Sequence, residues 1–262
     1  TLPKGTWKMK LHFKKMGSGS PLIILHGLFG SGDNWQTLAR KYGEEHEVFL
    51  VDQRNHGHSP HSEDFSYELM AQDLATFIDD QGLEDFSILG HSMGGKTAMV
   101  YAMNFDQGLE QLIVVDMAPK AYPVHHRSIL DGLISANLEA KTSRKEVQKH
   151  IQEYEQNQAV QQFLMKNLYW KSKGELAWRF NVPVLNRTIE SMVAQPVEGV
   201  SHVDTLFIRG GKSNYILESD EYLLKQYFPF STLFSIEEAG HWVHAESPET
   251  FFEITRSFLM AR

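Results

Sequence analysis

The chain has 262 residues, 33 Asp and Glu against 25 Lys and Arg for a formal charge of −8, and no cysteine. The missing cysteines exclude a thiol nucleophile, a disulfide framework, an iron–sulfur cluster and a thiolate-ligated zinc site. With 42% hydrophobic and 22% charged residues it is globular and long enough for one large domain or a domain with an insertion; its acidity speaks against a nucleic-acid binder, and no stretch reaches the ~20 apolar residues of a membrane span.

Trp7, Met9, Leu11 and Phe13 alternate with Lys8, Lys10, His12 and Lys14, which predicts a half-exposed strand. The stretch is basic and lacks an apolar signal-peptide core, so a cytoplasmic location is expected. Residues 17–20, Gly-Ser-Gly-Ser, predict a turn. Short apolar runs then recur at 21–25, 47–52, 86–90, 112–116, 205–210 and 232–236, each suited to a strand buried on both faces of a parallel sheet. Helical spacing lies between them at 67–81, with Ser66 as N-cap, at 94–105 and at 248–260, which opens on Pro248. The alternation predicts βα units and a mostly parallel sheet flanked by helices.

One stretch breaks the alternation. Residues 119–200 show helical patterns at 128–138, 143–154 and 158–168, then loops carrying Trp170 and Trp178. The expected organisation is a core of residues 1–118 and 201–262 with a helical insertion at 119–200. The insertion holds eleven Lys and Arg against eight Asp and Glu, a net of +3, which leaves the core at −11.

Chemistry enters with Gly90-His91-Ser92-Met93-Gly94. This G-x-S-x-G follows a buried run and opens a helical pattern, the strand–turn–helix of a nucleophile elbow. A Cβ at either glycine would crowd the turn, and the helix N-terminus favours developing negative charge near Ser92. A serine hydroxyl needs a base. Among 13 histidines, His241 holds the place for one, in the loop between the last predicted strand and the last helix.

Four segments carry a resemblance: residues 25–31 (Leu-His-Gly-Leu-Phe-Gly-Ser), 51–59 (Val-Asp-Gln-Arg-Asn-His-Gly-His-Ser), 90–96 (Gly-His-Ser-Met-Gly-Gly-Lys) and 240–248 (Gly-His-Trp-Val-His-Ala-Glu-Ser-Pro). In order and spacing the chain resembles the α/β-hydrolase superfamily. In wording, including residues 178–185 of the insertion, it is most similar to the bacterial YbfF-type esterases. The resemblance implies an α/β-hydrolase fold with a helical cap inserted after the family's sixth strand. It implies an oxyanion hole from the backbone N–H groups of Leu28 and Met93. For the acid it implies Asp116, at the end of a core run, because the more usual place after the seventh strand holds Ser213 instead. Ser213 is then an auxiliary hydrogen-bond partner, and Glu218 and Asp220 stay open as rival acids.

Phe29, Trp178 and Phe180, with Leu28, Met93 and Trp170, suggest an apolar substrate pocket, or else core of the insertion. The basic excess of the insertion leaves room for an anionic leaving group such as coenzyme A. His56, His58 and His61 mimic a metal cluster, but their loop matches a structural one of the superfamily, so no metal is expected. The adjacent pair His125-His126 reads as surface. Gly90, Gly95, Lys96 and Thr97 satisfy a phosphate-loop spacing, yet the elbow claims the same glycines and no magnesium carboxylate accompanies them. The expected function is a serine carboxylesterase or thioesterase. It needs no cofactor, takes a small-molecule ester or thioester, and has no nucleic-acid or membrane partner. Its oligomeric state is open. A lyase or synthase of the same fold and a triad-retaining binding protein are the alternatives.

Overall fold

Period-two burial builds a sheet between two cores. The computed structural model describes residues 9–123, 127–141 and 143–261. The strands β1 (Phe13–Gly17), β2 (Ser20–Leu25), β3 (His46–Val51), β4 (Phe86–His91), β5 (Leu109–Val115), β8 (Asp204–Gly210) and β9 (Ser231–Ile236) form one sheet in the order β1-β3-β2-β4-β5-β8-β9. Only β1 runs antiparallel to its neighbour, β3. Alternate side chains go to opposite faces. Ile23, Leu25, Phe49, Val51, Ile88, Leu112, Val114 and Phe207 join one cluster with α2 (Tyr67–Gln81) and α3 (Met93–Asn104). Leu22, Ile24, Val48, Leu50, Leu89, Ile113, Val115, Leu206 and Ile208 join a second with α1 (Gln36–Tyr42) and α10 (Pro248–Met260), which follows the short helices α8 (Glu221–Tyr227) and α9 (Val243–Glu246). Each buried aliphatic side chain contributes about 1.5–3 kcal/mol before entropy.

The N-terminal strand differs from its expectation. Residues 9–12 are not in a strand, and β1 begins at Phe13, where pairing with Val51 starts. Trp7 and Lys8 lie outside the described residues. The turn at 17–20 has Gly17 at φ 78° and Gly19 at φ 122°. Ser66 caps α2 by accepting the Leu69 N–H, and Gly82 ends it at φ 61°.

After β5, the fifth strand in this chain's own count, the chain leaves the sheet for α4 (Arg127–Ser135), α5 (Arg144–Ile151), α6 (Gln158–Met165) and α7 (Val182–Ala194). The segment with Trp170 and Trp178 is not loop. It is an antiparallel pair, β6 (Leu168–Ser172) and β7 (Glu175–Trp178), turning at Gly174 with φ 84°. Its apolar residues are too few for a core strand pattern, so only pairing within the insertion makes it visible. Helix α7 also stands where loop is expected; its signal is Pro183 in the first turn with Val184, Leu185, Ile189 and Met192 on one buried face. The pair His125-His126 lies outside the described residues. No described helix is long and apolar enough to cross a membrane.

Candidate active site

β4 delivers Gly90-His91, and Ser92 turns the chain into α3. A Cβ on Gly90 would lie 2.4 Å from the Gly94 carbonyl oxygen, and one on Gly94 would lie 2.4 Å from that of Leu25. Neither approach admits a side chain. Ser92 sits at φ 52°, ψ −115°, which costs a residue other than glycine about 1–3 kcal/mol. Its N–H donates to Val115 C=O at 3.0 Å, and its C=O accepts the Lys96 N–H at 3.0 Å. The neighbouring strand and the helix thus hold the strained residue.

Three segments far apart in sequence meet there. Ser92 Oγ is 3.0 Å from His241 Nε2, and His241 Nδ1 is 2.7 Å from Asp116 Oδ2. Asp116 follows β5, has φ 48° and is fully buried. A buried carboxylate must be supplied with donors. Its Oδ2 also accepts the Ser213 hydroxyl, and its Oδ1 accepts the Gly210 N–H at 3.2 Å. The carboxylate sets the imidazole proton on Nδ1, leaving the Nε2 lone pair towards the serine. Tyr215 stacks on the imidazole at 4.0 Å. The two rival acids are engaged elsewhere: Glu218 with Arg209 at 2.8 Å, Asp220 with Lys120 and the Leu217 N–H.

A second layer of histidines, not anticipated from sequence, braces these groups. His91 Nε2 is 2.9 Å from the His241 carbonyl oxygen, so the proton sits on Nε2. Burial, then the neighbouring His244 and His241, hold His91 well below its ordinary value. His244 is stacked on Trp35 at 4.0 Å, and burial pushes it down to about 3. His26 accepts the Gln53 N–H at Nε2 (3.0 Å) and donates from Nδ1 to Gly27 C=O (2.8 Å); burial lowers it too. Together with the Gly30 N–H to Gly27 C=O bond and Phe29 at φ 60°, this shapes the loop that carries Leu28. These histidines act through partners distant in sequence, which is why residue type alone did not mark them.

Two cavities open on Ser92, and Leu28 lines both. The first is walled by Phe29, Trp35, His241 and Trp242 and by Ile129, Val160 and Phe163 of the insertion. The second, the smaller, is walled by Met93, Met117, Tyr122 and Tyr215 with Ile189 and Met192 of the insertion. Met93 is the first residue of α3, where helix N–H groups have no partner within the helix.

Trp178 and Phe180 are placed elsewhere than the expected pocket. They stack on each other at 5.5 Å, Phe180 packs on Phe29, and both line a separate cavity with Leu133 and Pro183. Their aromatic surface is spent tying the insertion to the loop after β2. Trp170 is half exposed. Three cations of the insertion are engaged within it: Arg127 pairs with Asp131, Lys171 with Glu175, and Arg144 donates to Met165 and Leu168 carbonyls. His56, His58 and His61 do not converge. His56 donates to Arg54 C=O, His61 reaches Arg179 C=O, and His58 sits beside Asp52 with His12. The polar side chains of the phosphate-loop spacing have partners within the protein: Thr97 donates back to Met93 C=O, and buried Lys96 donates to Gln195 C=O.

A family model described as alpha/beta hydrolase fold matches residues 20–248. The chain belongs to the α/β-hydrolase family. Two relatives of this α/β-hydrolase are each 36% identical to it. One is a "putative esterase/lipase" of Haemophilus influenzae, aligned over 98% of this chain and 90% of its own length. The other is "Esterase YbfF" of Escherichia coli, aligned over 92% and 94%. Among solved structures, a "marine microorganism esterase" is 41% identical with a TM-score of 0.92, covering 95% of this chain and 99% of that one.

Proposed function

We propose that the protein is a serine hydrolase that cleaves carboxylic esters, thioesters included, through an acyl-enzyme. The observation that carries it is the continuous line from Ser92 Oγ through His241 to the buried Asp116, at the meeting point of two cavities. His241 Nε2 takes the Ser92 proton as Oγ attacks the carbonyl carbon. The oxyanion that forms accepts the N–H groups of Leu28 and Met93; loss of one such donor costs ~3–4 kcal/mol of barrier. The C–O or C–S bond breaks, and His241 returns its proton to the leaving group. Water, deprotonated by His241, then releases the acid and restores Ser92. Asp116 holds the tautomer and offsets the imidazolium charge, and Ser213 positions Asp116. On this reading residues 119–200 are a cap. They contribute walls to both cavities.

The test is a panel of neutral esters and acyl-CoAs with wild type and Ser92→Ala, alongside fluorophosphonate labelling. Turnover and labelling that both vanish in Ser92→Ala support the reading. Labelling without turnover by wild type would leave a binding protein, and turnover without any acyl-enzyme would leave a lyase or synthase. If the basic cap steers coenzyme A, acyl-CoA turnover falls with salt far more than turnover of a neutral ester of equal acyl length.

A further inference from the structure

The two cavities at Ser92 differ in one respect that the hydrolytic chemistry does not use. The second is lined by methionine, aliphatic and tyrosine side chains, and Lys96 is its single charged lining residue. Lys96 is 1% exposed. Its Nζ donates to the Gln195 carbonyl at 2.6 Å and lies over the rings of Tyr67 (5.3 Å) and Tyr122 (5.4 Å), which line the same cavity. No carboxylate pairs with it among the described residues. An ammonium has three protons to donate, and a buried charge without a counter-ion is costly. Ring faces and one carbonyl offset only part of that cost. Burial accordingly pushes Lys96 down to about 8, which leaves it mostly charged at neutral pH. Ser92 is the N-cap of α3 and Lys96 lies one turn further on, ~6 Å along the axis. Ser92 and Lys96 line the same cavity, so an acyl group bound at Ser92 and filling it shares the space with the lysine side chain.

We infer that Lys96 is an anion subsite in the acyl cavity, and that the enzyme selects short acyl groups ending in a carboxylate, the mono-esters or mono-thioesters of small dicarboxylic acids. This rests on the esterase reading above. The incoming carboxylate supplies the counter-ion that the protein omits, through a charge-assisted hydrogen bond in a water-poor cavity. A neutral acyl chain of equal length leaves the ammonium uncompensated. The contribution is to acyl selection, so it appears in the ratio between matched substrates.

The experiment compares 4-nitrophenyl hemiglutarate with 4-nitrophenyl valerate, using wild type, Lys96→Met and Lys96→Arg. The wild type is expected to favour the hemiglutarate in kcat/KM. The ratio should fall at least tenfold in Lys96→Met and recover in part in Lys96→Arg. A purely structural Lys96, bridging α3 to Gln195, would lower both rates together and leave the ratio unchanged; that outcome overturns the proposal. Should Lys96→Met fail to fold, the wild type alone decides: free glutarate must inhibit valerate-ester turnover at least tenfold more tightly than free valerate. Equal inhibition overturns the proposal as well. Failure of the wild type to turn over either ester would sink the esterase reading itself, a separate result from turnover of both with an unchanged ratio.

Discussion

Replacing Asp116 by Asn tests the proposed triad at its most specific point. The amide can face His241 with either its oxygen or its NH2 group. The Gly210 N–H, 3.2 Å from Oδ1, decides between them. If the amide oxygen took the Oδ2 place to accept from His241 and Ser213, the NH2 group would face the Gly210 N–H donor to donor in a fully buried site. A buried donor left without an acceptor costs about 1–3 kcal/mol. The favoured orientation therefore keeps the Gly210 bond and turns NH2 towards His241. That forces the imidazole to accept at Nδ1 and carry its proton on Nε2, facing Ser92, where no base remains. Tautomer reversal of this kind costs about 10³–10⁴ in kcat, or ~4–5.5 kcal/mol of barrier. The assay is steady-state ester hydrolysis with a melting curve as control, since the Gly210 bond survives and the fold should too. Asp116→Asn retaining more than a tenth of wild-type kcat would refute the reasoning; Asp220→Asn, which touches Lys120 rather than His241, should stay within twofold.

Two further outcomes follow from the histidines around the site. His91→Phe keeps the ring but removes the donor to the His241 carbonyl; kcat should fall about tenfold, from ~1–3 kcal/mol for an orphaned buried acceptor, with KM little changed, and an unaltered kcat would remove His91 from any positioning role. Acid should destabilise the fold early. His26, His56, His91 and His244 are all held below their ordinary value of 6.5 by burial, His56 and His244 at about 3. Below pH 6.5 the unfolded chain binds protons that the folded one refuses, so stability falls as pH drops from about 6.5 towards 3, each group contributing up to ~1.4 kcal/mol per pH unit. A melting temperature flat between pH 6.5 and 4.5 would contradict this.

The order of strands and helices in the sheet region was legible because each apolar run is bounded by turn residues and each helix carries its own signal. Examples are Ser66 before α2 and Pro248 at the start of α10. The elbow was legible in its local pattern, since Gly90 is demanded by the Gly94 carbonyl four residues on, although what demands Gly94 is the Leu25 carbonyl of the neighbouring strand. The β6–β7 pair and α7 were not, because the contacts that order them are made by residues distant in sequence; the same holds for Phe180, which packs on Phe29, and for Trp178, which stacks on Phe180.

Local pattern alone thus settled the α/β architecture, the strained serine and the place of a histidine after the last strand. The tertiary structure decided which carboxylate lies beside His241: Asp116 does, with the buried donors Gly210 N–H and Ser213 around it, whereas Glu218 and Asp220 pair with Arg209 and Lys120. It also decided the surroundings of Lys96. In sequence that residue completes a phosphate-loop spacing. In the fold it is a cation without a counter-ion at the wall of an apolar cavity. Charge type is written in the residue, but the cost of burying it, and hence the ligand that relieves that cost, depends on what the rest of the chain packs around it.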